Sequence, residues 1–560
     1  MRRKFMKVAA AFCAVFLMGA ILLPEVLASG AQTENQIIRV GLAYSNGALP
    51  FAGLENEVGN GFQLGYFNTD YELIPLAQTD ERQITMLKTQ NLYLSNGTYY
   101  TAPPSGSYTT IGCYHVELPG SYPDFASAKQ AASQTEGGFP AYIMGNFVVR
   151  VGAYGTKAEA EARQAELGIS GTSVKGTSTN GVSVVKTGTA DILLQFDGGS
   201  DCSLGVLPST EGGQKAVTGF QGNRYYGGFQ FQRFSGNLNV VNFVDLEDYI
   251  KGVLPYEMSA SWPIEALKAQ AICARNYATL NRGKHSAYGF DMCSNVDCQT
   301  YYGLGRADEN TDRAVDETAG EYLRYQNELA ETFYFSSDGG ATEDVYNVWG
   351  SNYPYLKGVE DPYEALVADR ISNYEWSTTF TADELTERLN SKGYDCGKIV
   401  KFEVTSRSAL GNVTAITFTD EAGQTVYLTR ERVRTVLNLR SQRYQVFTDG
   451  QASSGSGDQS YVITGGSTVS GINGLYAISG SGTLGTVTEE TPYAATGSGV
   501  EALTGTGAAG DGGSGSTFTI TGTGWGHHVG MSQWGAYAMA QQGLNYKDIL
   551  TFYFTGTTVG

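Results

Sequence analysis

The sequence predicts a multidomain α+β protein, with a β-rich main domain built on one long helix and a small α+β module ahead of it. Three observations carry the prediction. A chain of 560 residues is long enough for several hydrophobic cores. Strand-like segments run together over 37–66 and 190–248, whereas strand and helix patterns alternate over 114–186. One helix signal dominates, at 263–281, where Ile264, Leu267, Ala271, Ala274 and Ala278 recur at intervals of three and four.

The N-terminus reads as an export signal. Arg2, Arg3, Lys4 and Lys7 precede an apolar run from Val8 to Leu23, and Val26-Leu-Ala28 supplies a small-residue cleavage site. That run is shorter than the roughly 20 residues of a spanning helix, so 1–28 reads as a signal peptide or an uncleaved anchor, the only membrane tie expected. Positive charge ahead of the run places the rest of the chain on the outer side of the membrane. Residues 29–110 read as a small β-rich region, with Ile37 to Tyr44 alternating like a strand and Gly59 to Tyr66 following a glycine turn. Residues 111–187 read as the compact module: a strand at Tyr114, a helix from Asp124 to Gln134, a strand from Phe147 to Tyr154 and a helix from Thr156 to Leu167.

Residues 188–447 form the first part of the main domain. Strand segments at Asp191 to Phe196, Tyr225 to Phe231 and Leu238 to Val244 lead into the stretch Tyr249 to Asn281. Ser259 or Ser261 is placed to cap the long helix, and Pro263 suits its first turn, where a missing N–H costs no intrahelical bond. Glu257 stands just ahead of that helix, while Lys268 and Arg275 sit on a stripe beside the apolar one. One carboxylate and two cations therefore share a region. A strand running into a turn comes next at Ala330 to Glu343, then an aromatic loop from Trp349 to Tyr363. Helices at 381–392 and 428–440 flank a strand pair at 400–407 and 412–419. Residues 448–517 are mostly Gly, Ser and Thr and read as an insertion. Residues 518–560 close the domain as strand, glycine-rich turn and helix.

Composition narrows the function. The net charge is −19, and because phosphate binding needs a basic footprint, nucleic acid is excluded as the main partner. A neutral or sugar-like substrate fits better. The 36 Tyr and 25 Phe suit half-buried strands, or surfaces on which sugar rings stack. Beyond Cys13 of the signal, the cysteines are too scattered for a disulfide scaffold, and only Cys293 and Cys298 lie close together.

Two resemblances extend this reading. The segment Phe147 to Leu167, with its Arg-Val-Gly strand and Ala/Glu-rich helix, resembles the second half of a SPOR domain. Such domains bind peptidoglycan glycan strands stripped of stem peptides; a ferredoxin-like fold without ligand fits the same pattern, and no binding role is read for Arg150 or Tyr154. Gly252-Val-Leu-Pro-Tyr-Glu-Met258, Glu265-Ala-Leu-Lys-Ala-Gln-Ala271 with Ala274-Arg275, Ser336-Ser-Asp-Gly-Gly340, Pro354-Tyr-Leu-Lys357 and Gly524-Trp-Gly-His-His-Val-Gly-Met-Ser-Gln-Trp-Gly-Ala536 occur in one order. Over residues 225–447 and 518–560 the chain resembles the stage II sporulation protein D family and its LytB relatives.

That resemblance implies an outward-facing lytic transglycosylase of a Gram-positive-type bacterium, acting in sporulation or wall remodelling. It would cleave the MurNAc–GlcNAc β-1,4 bond of denuded glycan and leave a 1,6-anhydro-MurNAc end, with a stem-peptide amidase as an expected partner. The main domain is then a catalytic domain and 263–281 its active-site helix. The family's catalytic glutamate falls on Glu257, with Tyr256, Met258 and Trp262 as candidates for an apolar setting that keeps it protonated. Lys268, Arg275, Tyr355, Lys357 and His527 fall on positions expected near the cleft, where cations and a phenol can bind sugar hydroxyls or the lactyl carboxylate. A structural salt bridge or core contact uses the same residue types. His528 stands where the family usually has glycine.

The segment His285 to Cys298 resembles the zinc-site segment of some clostridial relatives, with Asp297 where those have histidine. His285, Cys293, Cys298 and Asp297 would hold a structural zinc; a Cys293–Cys298 disulfide is the rival. Against the enzyme stands a glycan-binding or scaffold protein that keeps the fold without turnover. An amidase or zinc hydrolase finds no HExxH pattern, and the chain has only four histidines.

Overall fold

The computed structural model describes residues 36–449 and 511–560, together with the backbone of three short antiparallel hairpins between 460 and 502. The signal or anchor read at 1–28 lies outside the described residues, as does most of the insertion read at 448–517. Strands and helices mix throughout, so the fold is α+β and β-rich.

At its centre is the strand Asn237–Asp245, third in a seven-stranded sheet of order Met292–Cys293, Ile37–Ala43, Asn237–Asp245, Gly228–Phe234, Leu204–Pro208, Phe62–Phe67 and Leu73–Thr79. Leu238, Val240 and Val244 belong to the main core, while Val241 and Phe243 pack on the other side with Phe290 and Cys293. Both faces are covered. The sequence Leu-Asn-Val-Val-Asn-Phe-Val consequently lacks the alternation of a half-exposed strand.

The helices of the described chain are α1 (Phe125–Ala132), α2 (Lys157–Leu167), α3 (Leu246–Glu257), α4 (Ile264–Leu280), α5 (Glu309–Asp316), α6 (Val345–Trp349), α7 (Ala382–Ser391), α8 (Arg432–Thr435), α9 (Gln533–Gln541) and α10 (Tyr546–Tyr553). α4 is buried nearly all round, by α3, α5, α9 and α10. Its Asn276 donates to the carbonyls of Leu323 and Ala330 and accepts from Leu323 N, which ties the 323–330 hairpin to the helix. A second core, with Phe402, Phe418, Phe518 and Ile520, lies between the sheet of Glu375–Thr381, Thr517–Thr523 and Tyr444–Thr448 and the sheet led by Ile399–Arg407 and Val413–Asp420.

One local expectation is extended and one corrected. Glu257 stands ahead of α4 and also closes a helix of its own: α3, capped by Asp245, whose side chain accepts from Glu247 N, runs through Pro255 to Glu257. Proline near a helix end forfeits one hydrogen bond without stopping the helix. Ser259 and Ser261, by contrast, do not cap α4. Their hydroxyls bond each other at 3.0 Å, and Pro263 holds the N-cap position with no side-chain cap.

Strand pairing also crosses the boundaries drawn at 110 and 187. Within the module, Tyr114–Glu117, α1, Gly138–Ile143, Asn146–Tyr154, α2 and Ser173–Lys175 follow in βαββαβ order, with the sheet order fourth, first, third, second strand of a ferredoxin-like fold. That sheet does not end with the module. Gly138–Ile143 pairs in parallel with Ile192–Asp197, and the sheet continues through Val182–Lys186 and Gln83–Lys88 to ten strands. The described part of 29–110 is likewise divided: Ile37–Ala43, Phe62–Phe67 and Leu73–Thr79 join the seven-stranded sheet, Phe51–Asn56 and Gln83–Lys88 the ten-stranded one, and Leu92–Ser95 and Thr98–Tyr100 form a small sheet with Thr109–Ile111.

Candidate active site

Gly252 explains how α3 reaches its position. A Cβ there would stand 2.4 Å from the Tyr301 ring, so only glycine lets α3 lie against it. Tyr301 is fixed from behind, its hydroxyl donating to Asn242 Oδ1 of the central strand at 2.8 Å. The next residue back, Thr300, meets the end of α3: its N–H donates to Glu257 Oε1 at 3.3 Å.

Burial pushes the Glu257 carboxyl above its ordinary value, offset in part by the Thr300 amide and by the Tyr334, Gln533 and Thr300 side chains that donate toward it. Its place at the C-terminal end of α3, where carbonyl dipoles gather, acts in the same direction as burial. The partners are neutral. Tyr334 comes from a two-residue strand paired in parallel with Met531–Ser532, and Gln533 is the first residue of α9. Gln299 donates to the Tyr334 hydroxyl at 3.0 Å and accepts from Tyr249 at 3.2 Å. Burial, then the charge of Glu257, keep the Tyr334 phenol well above its usual range and hence protonated. Aromatic pairs adjoin these residues in the chain: Tyr256, next to Glu257, packs with Tyr302, and Trp534, next to Gln533, packs with Trp262 and Tyr537. Met258 is buried in the main core.

The cations expected beside Glu257 are engaged elsewhere. Arg275 is wholly buried, paired twice with Glu247 at 2.8 and 2.7 Å, and its remaining donors go to Glu321 O and Thr318. It clamps α4 to the first turn of α3 and presents nothing to a ligand, which corrects its reading as a sugar contact. Lys268 pairs with Glu265 and Glu317 over the Tyr546 ring. Tyr355 is buried and accepts from Glu331 N. Lys357 is more exposed, pairing with Asp344 and Asn352.

His527 lies between Trp349 and Phe335, with ring centroids 4.9 and 5.3 Å away. Val529 N donates to its Nδ1, and burial with the nearby Arg434 charge lowers its pKa to about 3, so the ring is neutral. It shares its neighbourhood with the Tyr334 backbone. His528 has φ +61, the left-handed backbone that glycine adopts freely and histidine more readily than most. Its ring is fully buried, with neither nitrogen hydrogen-bonded, and burial holds it well below its usual value.

The four residues proposed for a metal come together. Donor atoms of His285, Cys293, Asp297 and Cys298 all lie within 4.8 Å of one another. Cys298 Sγ is 3.3 Å from His285 Nε2, Asp297 Oδ2 is 3.3 Å from the same nitrogen, and Cys293 Sγ is 3.9 Å from Asp297 Oδ2. Ligands on one tetrahedral zinc at about 2.0–2.3 Å stand roughly 3.3–3.8 Å apart, so the donor set fits that ion. Both thiols are free. The loop is also continuous with the acid's surroundings, since Gln299 and Thr300 follow Cys298 directly.

Sequence reasoning missed Thr300, Tyr334, Gln299 and Gln533, which carry no spacing signal, although Gln533 lies within the glycine-rich block. It also missed a wholly buried set of carboxylates, Asp338, Asp361 and Glu364, within 4.8 Å of one another. A separate cavity of about 240 Å³ beside α1, lined by Leu64, Phe125, Lys129 and Pro140 among others, contains no carboxylate.

The arrangement is that of a single half-buried acid on a helix end, beside neutral donors. Residues 234–325, which include the central strand, α3, α4 and the thiol loop, match the family model described as stage II sporulation protein, SpoIID. Through that segment the chain is similar to the stage II sporulation protein D family. It is 29% identical over 340 residues to an uncharacterized protein of Brachyspira hyodysenteriae, covering 60% of this chain and 73% of that one. Similarity to the amidase enhancer of Bacillus subtilis is also 29%, over 319 residues, covering 55% of this chain but only 40% of the relative. The stage II sporulation protein D of Bacillus subtilis is 26% identical over 344 residues, covering 58% and 77%. Among the described residues no helix is long and apolar enough to cross a membrane.

Proposed function

We propose that the protein acts on the cell wall as a lytic transglycosylase, cutting the MurNAc–GlcNAc β-1,4 bond of denuded glycan. The observation that supports this reading is that Glu257 is half-buried beside the Thr300 amide and other neutral donors, with no second carboxylate among its described partners. A hydrolase of the usual kind uses two carboxylates, one to hold or replace a water. Here one suffices. Protonated Glu257 gives its proton to the glycosidic oxygen as the C1–O bond breaks, then takes the proton of the sugar's own 6-hydroxyl as O6 closes on C1. The acid returns to its starting state, no water is consumed, and a 1,6-anhydro end remains.

Incubation with stem-stripped glycan strands, followed by mass spectrometry, is expected to release 1,6-anhydro-MurNAc ends. Glu257→Gln should slow this by about 10²–10⁴-fold while glycan binding persists. Binding without anhydro products in the unaltered chain would favour a scaffold instead.

Three further parts belong to this reading. The ferredoxin-like module is a glycan-binding module, and the chain works outside the membrane. An amidase that strips stem peptides is a partner, in keeping with the relative named amidase enhancer. His285, Cys293, Asp297 and Cys298 hold a structural zinc, which when bound supplies a cross-link across the 285–298 loop.

A further inference from the structure

Arg275 and Lys268 are bound up in ion pairs, yet the end of α3 meets a cation that is not. The segment Tyr301-Tyr-Gly-Leu-Gly-Arg306 follows Thr300, whose amide donates to Glu257. The hydroxyl of Tyr256, the residue before Glu257 in α3, donates to Tyr302 O at 3.4 Å. Close fits fix this segment. Gly303 has φ +68 and forms a bridge with Arg224, and a Cβ on it would stand 2.0 Å from Arg224 O, so only glycine is admitted. A Cβ on Gly305 would stand 2.9 Å from the Tyr256 hydroxyl, and glycine leaves that space open. Tyr302 and Arg306, beside these two glycines, are both exposed. The Tyr302 ring lies 5.4 Å from that of Tyr256. The Arg306 guanidinium lies over the Tyr256 ring, 4.9 Å from its centre, and no acceptor among the described residues takes its N–H groups. Asp308, the next acid along the chain, is engaged at the start of α5, where its side chain accepts from Asn310 N.

We propose that Arg306 binds the lactyl carboxylate of a MurNAc residue, with the Tyr302 ring against the sugar, and so selects glycan from which the stem peptide has been removed. This deepens the transglycosylase reading and rests on it for the identity of the glycan, though not for the geometry of the cation. A cation over a ring is held there by its charge and keeps its N–H groups free. In a chain of net charge −19, a fixed arginine without an acid partner is a place for an anion that a ligand brings. The two forms of the glycan differ at that group. Where a stem peptide is attached, the lactyl carbonyl belongs to a neutral amide with one acceptor oxygen. Once the peptide is cut away it is a carboxylate, whose two oxygens a guanidinium grips with a pair of parallel N–H bonds. A glycan strand extends past the bond being broken, and Arg306 rests on the ring next to Glu257 in α3, where a sugar of the same strand passes.

The test compares soluble strands stripped of stem peptides with the same strands after carbodiimide and methylamine have turned their lactyl carboxylates into amides. Binding to the full chain is measured by calorimetry with Glu257→Gln in place, so that nothing is turned over. The stripped strand should bind about tenfold more tightly than its amide, and Arg306→Gln should abolish that preference by weakening the stripped strand alone. Arg306→Lys should keep part of it, because a point charge remains without the planar fork. Tyr302→Ala should weaken both glycans alike. The ferredoxin-like module is present throughout, so whatever it binds cancels between variants. If Arg306→Gln prefers the stripped strand as much as before, or weakens both glycans equally, the inference is overturned. If the preference follows Arg306 while the chain with Glu257 intact releases no anhydro ends, the carboxylate site stands and the transglycosylase reading falls.

Discussion

Three carboxylates, Asp338, Asp361 and Glu364, are wholly buried side by side. Glu364 accepts from the Ser337 and Ser532 hydroxyls and from the amides of Asp338 and Gly339, and Asp361 from the Tyr553 hydroxyl and two amides. Asp338 Oδ2 has no such donor. Burial, then the charges of Glu364 and Asp361, push Asp338 well above the carboxylate range; burial and Asp361 raise Glu364 to about 7. Folding therefore takes up protons. Below an unfolded pKa of about 4 both states are protonated; above it stability falls by up to about 1.4 kcal/mol per pH unit for each such group, until pH passes the folded value. Asp338→Asn keeps an acceptor for Gly340 N and offers Asp361 a permanent donor. The drop in melting temperature between pH 5 and pH 8 should shrink in this variant. An unchanged drop would mean that Asp338 is ionised in the fold. Arg275 shows why such groups escape a reading from sequence: periodicity places it beside an apolar stripe, yet its partner Glu247 lies on another helix, and spacing does not reveal which charges are enclosed.

At the scale of elements, the helix signal of 264–280 was readable because its periodicity is local, and so were two strands and both helices of the module, while its strands Gly138–Ile143 and Ser173–Lys175 were not read. Nor was the end of α3. Proline disfavours a helix interior, yet α3 runs through Pro255 to Glu257, with Gly252 packed against Tyr301, a residue remote in sequence. The loop 285–298 was found through its two cysteines, and it has a testable property. With zinc held at His285, Cys293, Asp297 and Cys298, the purified chain should contain about one zinc per molecule. Cys293→Ser with Cys298→Ser should remove the metal and lower the melting temperature, and chelation of the unaltered chain should lower it similarly. Metal-free protein with a Cys293–Cys298 disulfide by mass spectrometry would end the zinc reading. Nothing in the spacing could have placed Thr300 on Glu257, since that contact depends on where α3 stops.

For the whole molecule, the sequence divided the chain into more pieces than the sheets allow. Ile37–Ala43 alternates like a strand of a small independent region, but it lies between Asn237–Asp245 and Met292–Cys293, with Ile38 and Val40 in the main core. A chain starting at 188 would leave the central strand with an open edge and a gap in its core. Residues 188–560 should therefore elute as aggregate on gel filtration and melt without cooperativity, whereas 36–560 melts as a folded protein. A cooperative melt of the shorter chain would show that the sequence boundary holds after all. The pairing of Ile37 with Asp245 has a kinetic side as well. Closing so long a loop costs entropy before any contact repays it, so folding should be slow, and early segments have no native state of their own to wait in. During synthesis Ile37–Ala43 emerges long before its neighbours exist, and until they arrive it is a sticky, unpaired edge that a chaperone or fast downstream folding must protect.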